Sequence, residues 1–221
     1  REFSEGDARE MWTYHAVAAV LRGHSVLASL PEVDAGRIGV TGISWGGYLT
    51  CIVAGLDDRL KVAVPVYGCG FLHENSVWLS SQFDSMSEER RKRWVDFFDP
   101  SKYLGGVQCP LLFLNGSNDF AYPLDSYRKS YQLVEGPMTL CVKIGLPHGH
   151  IWTFGEVDLF VDSVLKGGEP LPKLTAMKIA NGRLRRPSSA ASFGWPAIIA
   201  AAAKRSAMRG ARCNTPSPPA E

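Results

Sequence analysis

Residues 37–56 read "RIGVTGISWGGYLTCIVAGL", a short run of β-branched and small residues that passes through a glycine-rich turn into a run with helical spacing. Gly42, Ser44 and Gly46 fit the pattern G-x-S-x-G, in which a serine sits on a sharp turn between a strand and a helix. Both glycines are expected to remove side chains that would collide in so tight a turn. The stretch therefore predicts a strand–turn–helix unit with Ser44, at the carboxyl edge of a sheet, as a candidate nucleophile.

Further apolar runs alternate with helical patterns along the chain. The strand candidates are short and almost wholly apolar, and they are residues 37–43, 61–68, 109–116 and 139–146. The helical candidates are residues 11–30, whose apolar stripe is interrupted near Gly23, and residues 44–56, 123–134 and 156–165. This alternation predicts a doubly wound, mostly parallel α/β sheet with right-handed crossovers. The strand at residues 37–43 is apolar on both faces, which suits a position with a neighbour on each side.

Composition divides the chain into regions. Residues 1–174 carry the alternating pattern and are assigned to one α/β domain. Residues 70–108 interrupt it with aromatic residues spaced among charges, and two interpretations stay open. They form either a lid-like insertion that walls a binding site or a pair of amphipathic helices packed on the sheet. Residues 175–221 are rich in Ala, Arg, Pro and Ser without a sustained period, which predicts a disordered tail.

Charge and composition argue against several classes of protein. The formal net charge of +2 is too small to indicate nucleic acid as a partner, and no apolar run is long enough to span a bilayer. The five cysteines form no C-x-x-C pair and have no histidine at metal-ligand spacing, so no metal or other cofactor is expected. The chain begins without Met or a recognisable targeting segment, and the sequence indicates neither a cellular location nor an oligomeric state.

A serine hydroxyl needs a base before it can attack a carbonyl group near neutral pH, and a carboxylate must orient that base. In sheets with this turn the chain order is serine, acid, histidine. Asp119 follows the apolar run 109–116 and is the candidate acid, with Asp125 as its nearest rival. Two histidines compete as the base: His148 lies nearer the end of the fourth strand and is favoured, and His150 is the alternative base or a pocket residue.

Residues 42–68, "GISWGGYLTCIVAGLDDRLKVAVPVYG", resemble the nucleophile region of the prolyl oligopeptidase family. The stretches "DPSKYL", "CPLLFLNGSNDFAYPLDSYRKSYQL" and "PHGH" continue the pattern. The same arrangement is similar to bacterial acetylxylan esterase-like hydrolases. The resemblance covers roughly residues 10–170 and implies an α/β-hydrolase fold with a serine hydrolase site.

The resemblance also implies a role for each matching residue. Ser44 would be the nucleophile, Asp119 the orienting acid and His148 the base. The backbone amide of Trp45 would be one donor to the oxyanion. Peptidases of this family usually carry Tyr after the nucleophile, whereas esterase relatives vary more at this place, and here the residue is Trp45.

Small carboxylic esters, with acetyl esters or acetylated carbohydrate favoured, are the expected substrates, cleaved through an acyl-enzyme. The bulk of Trp45 and the aromatic insertion favour this over a prolyl oligopeptidase-like serine peptidase, which is the first alternative. A non-catalytic scaffold with the same fold is the second. The superfamily takes a second oxyanion donor from a loop after an early strand, often an H-G-G-type segment, and this sequence contains no such segment. We therefore expect the N-terminal strands of the fold to be missing here. The strand at residues 37–43 would then lie at an exposed edge of the sheet, and the chain alone would be weakly active or inactive.

Overall fold

Helices and strands alternate through the described residues. The computed structural model describes residues 7–172 and the backbone of residues 178–180 and 183–185. The α-helices are α1 Trp12–Ser29, α2 Trp45–Leu56, α3 Leu72–Asn75, α4 Glu88–Phe98, α5 Leu124–Tyr131 and α6 Gly155–Leu165. The strands are β1 Gly39–Ile43, β2 Val62–Val66, β3 Leu111–Gly116, β4 Met138–Lys143, β5 Lys178–Ala180 and β6 Arg183–Arg185.

The main sheet contains β1 to β4 in the order β1-β2-β3-β4, and every pair in it is parallel. Because parallel strands all end at one edge, the residues that follow β1, β2, β3 and β4 emerge on the same side of the molecule. Helices α2 and α5 provide the crossovers from β1 to β2 and from β3 to β4. The predicted doubly wound α/β sheet is therefore confirmed. Strands β5 and β6 form a separate antiparallel pair.

Strand β1 is the outer strand of the described sheet, and Gly39 and Thr41 are exposed, whereas β2 and β3 are buried along their whole length. Its apolar composition suits a strand with a neighbour on each side, but among the described residues only β2 pairs with it. The prediction that residues 37–43 lie at an exposed edge of the sheet is therefore confirmed for the described part of the chain.

The core lies between the central strands and the helices. Its largest fully buried side chains are Tyr48, Tyr67, Tyr122, Tyr127, Phe113, Phe154, Ile52, Leu72, Leu104, Leu111, Leu112 and Leu114. The buried free cysteines are Cys51, Cys69, Cys109 and Cys141, whereas Cys213 lies outside the described residues. The thiols therefore pack as small apolar side chains.

Helix α1 runs unbroken from Trp12 to Ser29, through Gly23, where the apolar stripe of the sequence is interrupted. A glycine within a helix costs only about 1 kcal/mol relative to alanine, which the packing of the neighbouring turns offsets. One contact between α1 and the end of α2 is polar. Nδ1 of buried His24 lies 2.7 Å from Oδ2 of Asp57, which directly follows α2. The Arg59 guanidinium also donates a hydrogen bond to each oxygen of this carboxylate, both at 2.7 Å.

Residues 70–108 form α3, a π-helical turn at Leu79–Phe83, α4 and two short 3₁₀ turns. Trp94 and Phe98 on α4 are buried in the core, and Phe83 lies with its ring centroid 4.9 Å from that of Trp94. The insertion thus packs an amphipathic helix on the rest of the domain. Its action as a lid stays a prediction.

Asp99 joins the beginning and the end of this insertion. Its fully buried carboxylate accepts hydrogen bonds from the amides of Phe71 at 2.9 Å, Leu72 at 3.1 Å and Ser101 at 2.9 Å. Burial by itself would raise the pKa of Asp99, but the His73 imidazole 3.8 Å away and the hydrogen bonds outweigh it, so the pKa lies below its usual value.

The predicted tail, residues 175–221, lies outside the described residues except for β5 and β6. None of the helices in the part of the chain that the structure describes combines the length and apolar composition that a membrane span requires.

The Asp57 contact gives a prediction for acid stability. The hydrogen bonds of Arg59, helped by His24 and opposed by burial, lower the pKa of Asp57 from 3.8 to about 2. The stabilisation of the folded state by ionised Asp57 is fully present above pH 3.8 and is lost as the pH falls towards 2. Asp57→Asn should therefore reduce the free energy of unfolding by about 2 kcal/mol at pH 7.

Urea denaturation between pH 7 and pH 2 checks this, and the difference from wild type should shrink below pH 4. Asp58→Asn is the matched control, because Asp58 is exposed and its replacement should change stability by no more than about 0.5 kcal/mol. A deficit for Asp57→Asn that stays constant with pH would rule out the electrostatic explanation.

Candidate active site

The turn between β1 and α2 holds Ser44 in a strained backbone conformation. Its φ of 58° and ψ of −114° are unusual for a residue with a side chain. The Ser44 amide donates a hydrogen bond to the Val66 carbonyl at 2.9 Å, which joins the turn to the end of β2. Ser44 is 7% exposed. The serine thus lies in a shielded position at the carboxyl edge of the sheet.

Steric room explains some of the glycines in this turn. A Cβ atom on Gly42 would lie 2.5 Å from the Gly46 carbonyl, and one on Gly47 would lie 2.3 Å from the Val66 carbonyl oxygen. A Cβ on Gly46, by contrast, would meet nothing within 4 Å. The expected collision at Gly46 is therefore wrong, and the glycine that the packing requires is Gly47, which lies against Gly68 in the loop after β2.

Three of the candidate residues come together at this edge. Nε2 of His148 lies 2.9 Å from Oγ of Ser44, and Nδ1 of His148 lies 2.8 Å from Oδ2 of Asp119. A carboxylate can only accept a hydrogen bond, so Nδ1 of His148 is a donor to Asp119, and an unprotonated Nε2 is placed to accept from the serine hydroxyl. The side chains of His148 and Asp119 are 5% and 0% exposed. The arrangement can pass a proton from Ser44 to an imidazole that a carboxylate orients.

The loop after β3 fixes the Asp119 carboxylate. Oδ1 of Asp119 accepts hydrogen bonds from the amides of Ala121 and Tyr122, both at 2.8 Å, which leaves Oδ2 for the histidine. Nδ2 of fully buried Asn115, near the end of β3, donates to the Tyr122 carbonyl at 2.9 Å. The rival acid Asp125 lies in α5, where it accepts from Asn75 at 2.7 Å.

Two tyrosines hold His148 and were not found by sequence reasoning. The Tyr67 hydroxyl donates to the Pro147 carbonyl at 2.9 Å, and the Tyr67 ring lies 4.5 Å from the imidazole between centroids. On another side the Tyr122 ring is nearly parallel to the imidazole at 6.0 Å. A signal for Tyr67 was its place directly after β2, where functional residues of parallel sheets gather.

His150 lies outside this relay. It is exposed, and its ring meets that of His148 edge to face with centroids 5.6 Å apart. The structure thus brings His148 rather than His150 to Ser44 and Asp119. His150 stands at the rim of the site, where a pocket residue would lie.

Trp45 begins α2 directly after Ser44. Its ring contacts Trp12 of α1 at 5.4 Å, Tyr48 at 5.1 Å and Trp78 of the insertion at 4.7 Å between centroids. Trp45 is 36% exposed. These rings form an aromatic wall, defined here as Trp12, Trp45 and Trp78, beside the candidate nucleophile.

Among residues 7–172, no group of three or more His, Cys, Asp or Glu side chains is placed to hold a metal ion. The described side chains themselves support proton transfer from Ser44 and nucleophilic attack by its hydroxyl oxygen.

The parallel sheet, with a serine on the turn from β1 to α2, defines an α/β-hydrolase fold. Within that fold, the chain belongs to the prolyl oligopeptidase family, whose sequence model matches residues 3–135. The match includes Ser44 and Asp119, whereas His148 lies beyond it. The resemblance noted in the sequence is therefore confirmed.

Individual relatives include both peptidases and esterases by name. The uncharacterized peptidase YuxL of Bacillus subtilis is 32% identical over 109 residues, which are 43% of this chain and 15% of YuxL. The acetyl esterase Axe7A of Xylanibacter ruminicola is 23% identical over 159 residues, 69% of this chain and 36% of Axe7A. The acetyl xylan esterase from Paenibacillus sp. R4 superposes with a TM-score of 0.60 at 24% identity, covering 68% of this chain and 52% of the esterase. This chain thus spans about half or less of the length of each.

The contact of α2 with β2 gives a prediction for stability. Gly47→Ala should lower the free energy of unfolding by about 1–3 kcal/mol, because its Cβ cannot avoid the Val66 carbonyl without a shift of the backbone. Gly46→Ala is the matched control one residue away, and it should be neutral or gain up to about 1 kcal/mol from helix propensity. Urea denaturation of both variants checks this, and equal midpoints would contradict the packing argument.

Proposed function

We propose that the chain carries the catalytic machinery of a serine hydrolase that cleaves carboxylic esters through an acyl-enzyme. The observation that carries the proposal is the pair of contacts at 2.9 Å and 2.8 Å that joins Ser44, His148 and Asp119 at the carboxyl edge of the sheet. These residues stand in the chain order, and on the elements, that this fold uses for nucleophile, acid and base.

The proposed reaction is acyl transfer in two steps. Oγ of Ser44 forms a bond to the carbonyl carbon while its proton passes to Nε2 of His148. Asp119 holds the imidazole and stabilises its positive charge. The tetrahedral intermediate then expels the alcohol, which takes the proton from His148. In the second step a water molecule gives a proton to His148 and attacks the acyl group. The bond to Oγ then breaks, His148 returns the proton to Oγ, and the acid leaves free Ser44.

The amide of Trp45 is the proposed donor to the oxyanion. It lies at the first turn of α2, a helix of twelve residues, where backbone N–H groups have no partner within the helix and the helix dipole favours negative charge. One such donor contributes about 10²- to 10³-fold to the rate in enzymes of this type.

Acetyl esters, among them acetylated carbohydrate, are the favoured substrates. The aromatic wall of Trp12, Trp45 and Trp78 lies beside Ser44 and supports a compact acyl site, and flat aromatic rings suit the apolar faces of sugars. The names of two relatives, acetyl esterase Axe7A and the Paenibacillus acetyl xylan esterase, favour the same class.

A serine peptidase is the second candidate. The match to the prolyl oligopeptidase family and the peptidase YuxL favour it, because the same relay attacks amides. The alternative of a non-catalytic scaffold is disfavoured, since such a protein has no use for a serine held in strained backbone beside a buried His148–Asp119 pair.

Covalent labelling tests the proposed roles. A fluorophosphonate probe on the full chain should modify Ser44, and Ser44→Ala should remove the label. His148→Ala should lower the labelling rate by about 10⁴- to 10⁶-fold, since it removes the base. His150→Ala is the matched control at the rim, and it should retain the labelling rate. Labelling at another serine, or the larger loss with His150→Ala, would overturn the assignment.

Substrate preference gives a separate prediction. The ratio of kcat/KM should favour acetyl esters over amides of proline-containing peptides, because the bulk of Trp45 limits the acyl site. Trp45→Tyr should move this ratio towards the amides by about 10- to 200-fold, the range for a modest change in pocket size. Spectrophotometric assays with both substrate types measure it, and a wild-type preference for amides would favour the peptidase instead.

A further inference from the structure

Tyr122 contacts each member of the Ser44, His148 and Asp119 relay. Its amide donates to Oδ1 of Asp119 at 2.8 Å, and its ring lies parallel to the His148 ring within 17°. The Ser44 hydroxyl is a neighbour of its phenol. The ring of Trp78 covers Tyr122 from the insertion, with centroids 5.3 Å apart. The residue is therefore held rigidly, with its hydroxyl beside the candidate nucleophile.

The Tyr122 hydroxyl is buried without a hydrogen bond of ordinary geometry to any of the described residues. Tyr122 is 0% exposed. An unpaired buried hydroxyl destabilises a fold, and phenylalanine would fill the same space without that cost. Unpaired buried groups in native proteins are uncommon and call for an explanation, which a catalytic role supplies.

The chemistry of the phenol makes it a donor. Burial raises the pKa of Tyr122 well above its usual value, while the neighbouring Ser44 opposes this rise. The phenol therefore keeps its proton near neutral pH and cannot act as a base. Oγ of Ser44 becomes a much stronger hydrogen-bond acceptor for this phenol when the serine proton passes to His148. Negative charge then develops on Oγ in a site shielded from water.

We propose that the Tyr122 hydroxyl donates a hydrogen bond to Oγ of Ser44 as the serine loses its proton to His148, and so stabilises the attacking oxygen. The proton of Tyr122 stays on the phenol throughout, and the only proton transferred is that of Ser44. The inference rests on the proposed function of Ser44. It makes Tyr122 a catalytic residue in addition to the three of the relay.

Tyr122→Phe removes only the hydroxyl group. The variant keeps the aromatic ring and the hydrogen bonds of the backbone amide and carbonyl of residue 122. Labelling of the full chain by a fluorophosphonate should slow by about 10- to 100-fold, the effect of one hydrogen bond to a charged atom. With an acetyl ester as substrate the loss should fall on kcat and leave KM unchanged, because the hydroxyl lies buried beside Ser44.

Tyr127→Phe is the matched control. Tyr127 on α5 is also fully buried, and its hydroxyl also has no hydrogen-bond partner in the described part of the chain, but its ring lies against Phe113 rather than His148. This variant should label at the wild-type rate. Both variants should denature in urea at a midpoint no lower than that of wild type, since each loses an unpaired buried hydroxyl.

The outcomes separate the two proposals. If the wild-type chain is not labelled at Ser44, the proposed function fails and this inference fails with it. If Ser44 is labelled but Tyr122→Phe reacts at the wild-type rate, only the role of Tyr122 is overturned. Equal losses in Tyr122→Phe and Tyr127→Phe, or a slow reaction together with a lowered urea midpoint, would show that the hydroxyl is structural and would also overturn it.

Discussion

The close packing of α2 against the loop after β2 is the constraint on which the site depends. Gly47 and Gly68 meet there so closely that a Cβ atom on Gly68 would lie 2.0 Å from the Gly47 carbonyl carbon. This approach lets the Ser44 amide reach the Val66 carbonyl although a helix begins at the next residue. The strained backbone of Ser44 costs about 1–3 kcal/mol, which the surrounding packing must offset. Backbone contacts thus set the position of the serine, and its own conformational preference opposes that position.

The parallel sheet then carries the partners of Ser44 to the same edge, and buried polar contacts complete their positions. Asp119 is held by amides of its own loop, whereas His148 depends on a distant residue, Tyr67, whose hydroxyl binds the Pro147 carbonyl. The rings of Tyr67 and Tyr122 cover the imidazole on two sides. Such apolar surroundings lower the local dielectric and strengthen the hydrogen bonds of the relay. The aromatic residues therefore contribute to the electrostatics of the site as well as to its packing.

Local patterns in the sequence were sufficient for the alternation of strands and helices and for the turn at Ser44. The rule of chain order then selected Asp119 and His148, which the structure brings together. Its place after β2 marked Tyr67 as a residue at the functional edge of the sheet, but its contact with Pro147 spans 80 residues of sequence and leaves no periodic trace. The pattern was also wrong about Gly46, since steric room is a property of the assembled fold.

The insertion packs on α2 at several places, among them the close approach of Tyr103 to Gly55 and the two contacts described next. The Tyr48 hydroxyl of α2 donates to the Phe98 carbonyl at 2.6 Å, deep in the core. The second contact, between Trp45 and Trp78, lies at the surface of the site. The Tyr48 contact and the approach of Tyr103 to Gly55 hold the insertion on α2 independently of the aromatic wall. Changes at Trp78 should therefore reshape the proposed acyl site while α2, and with it Ser44, keeps its position.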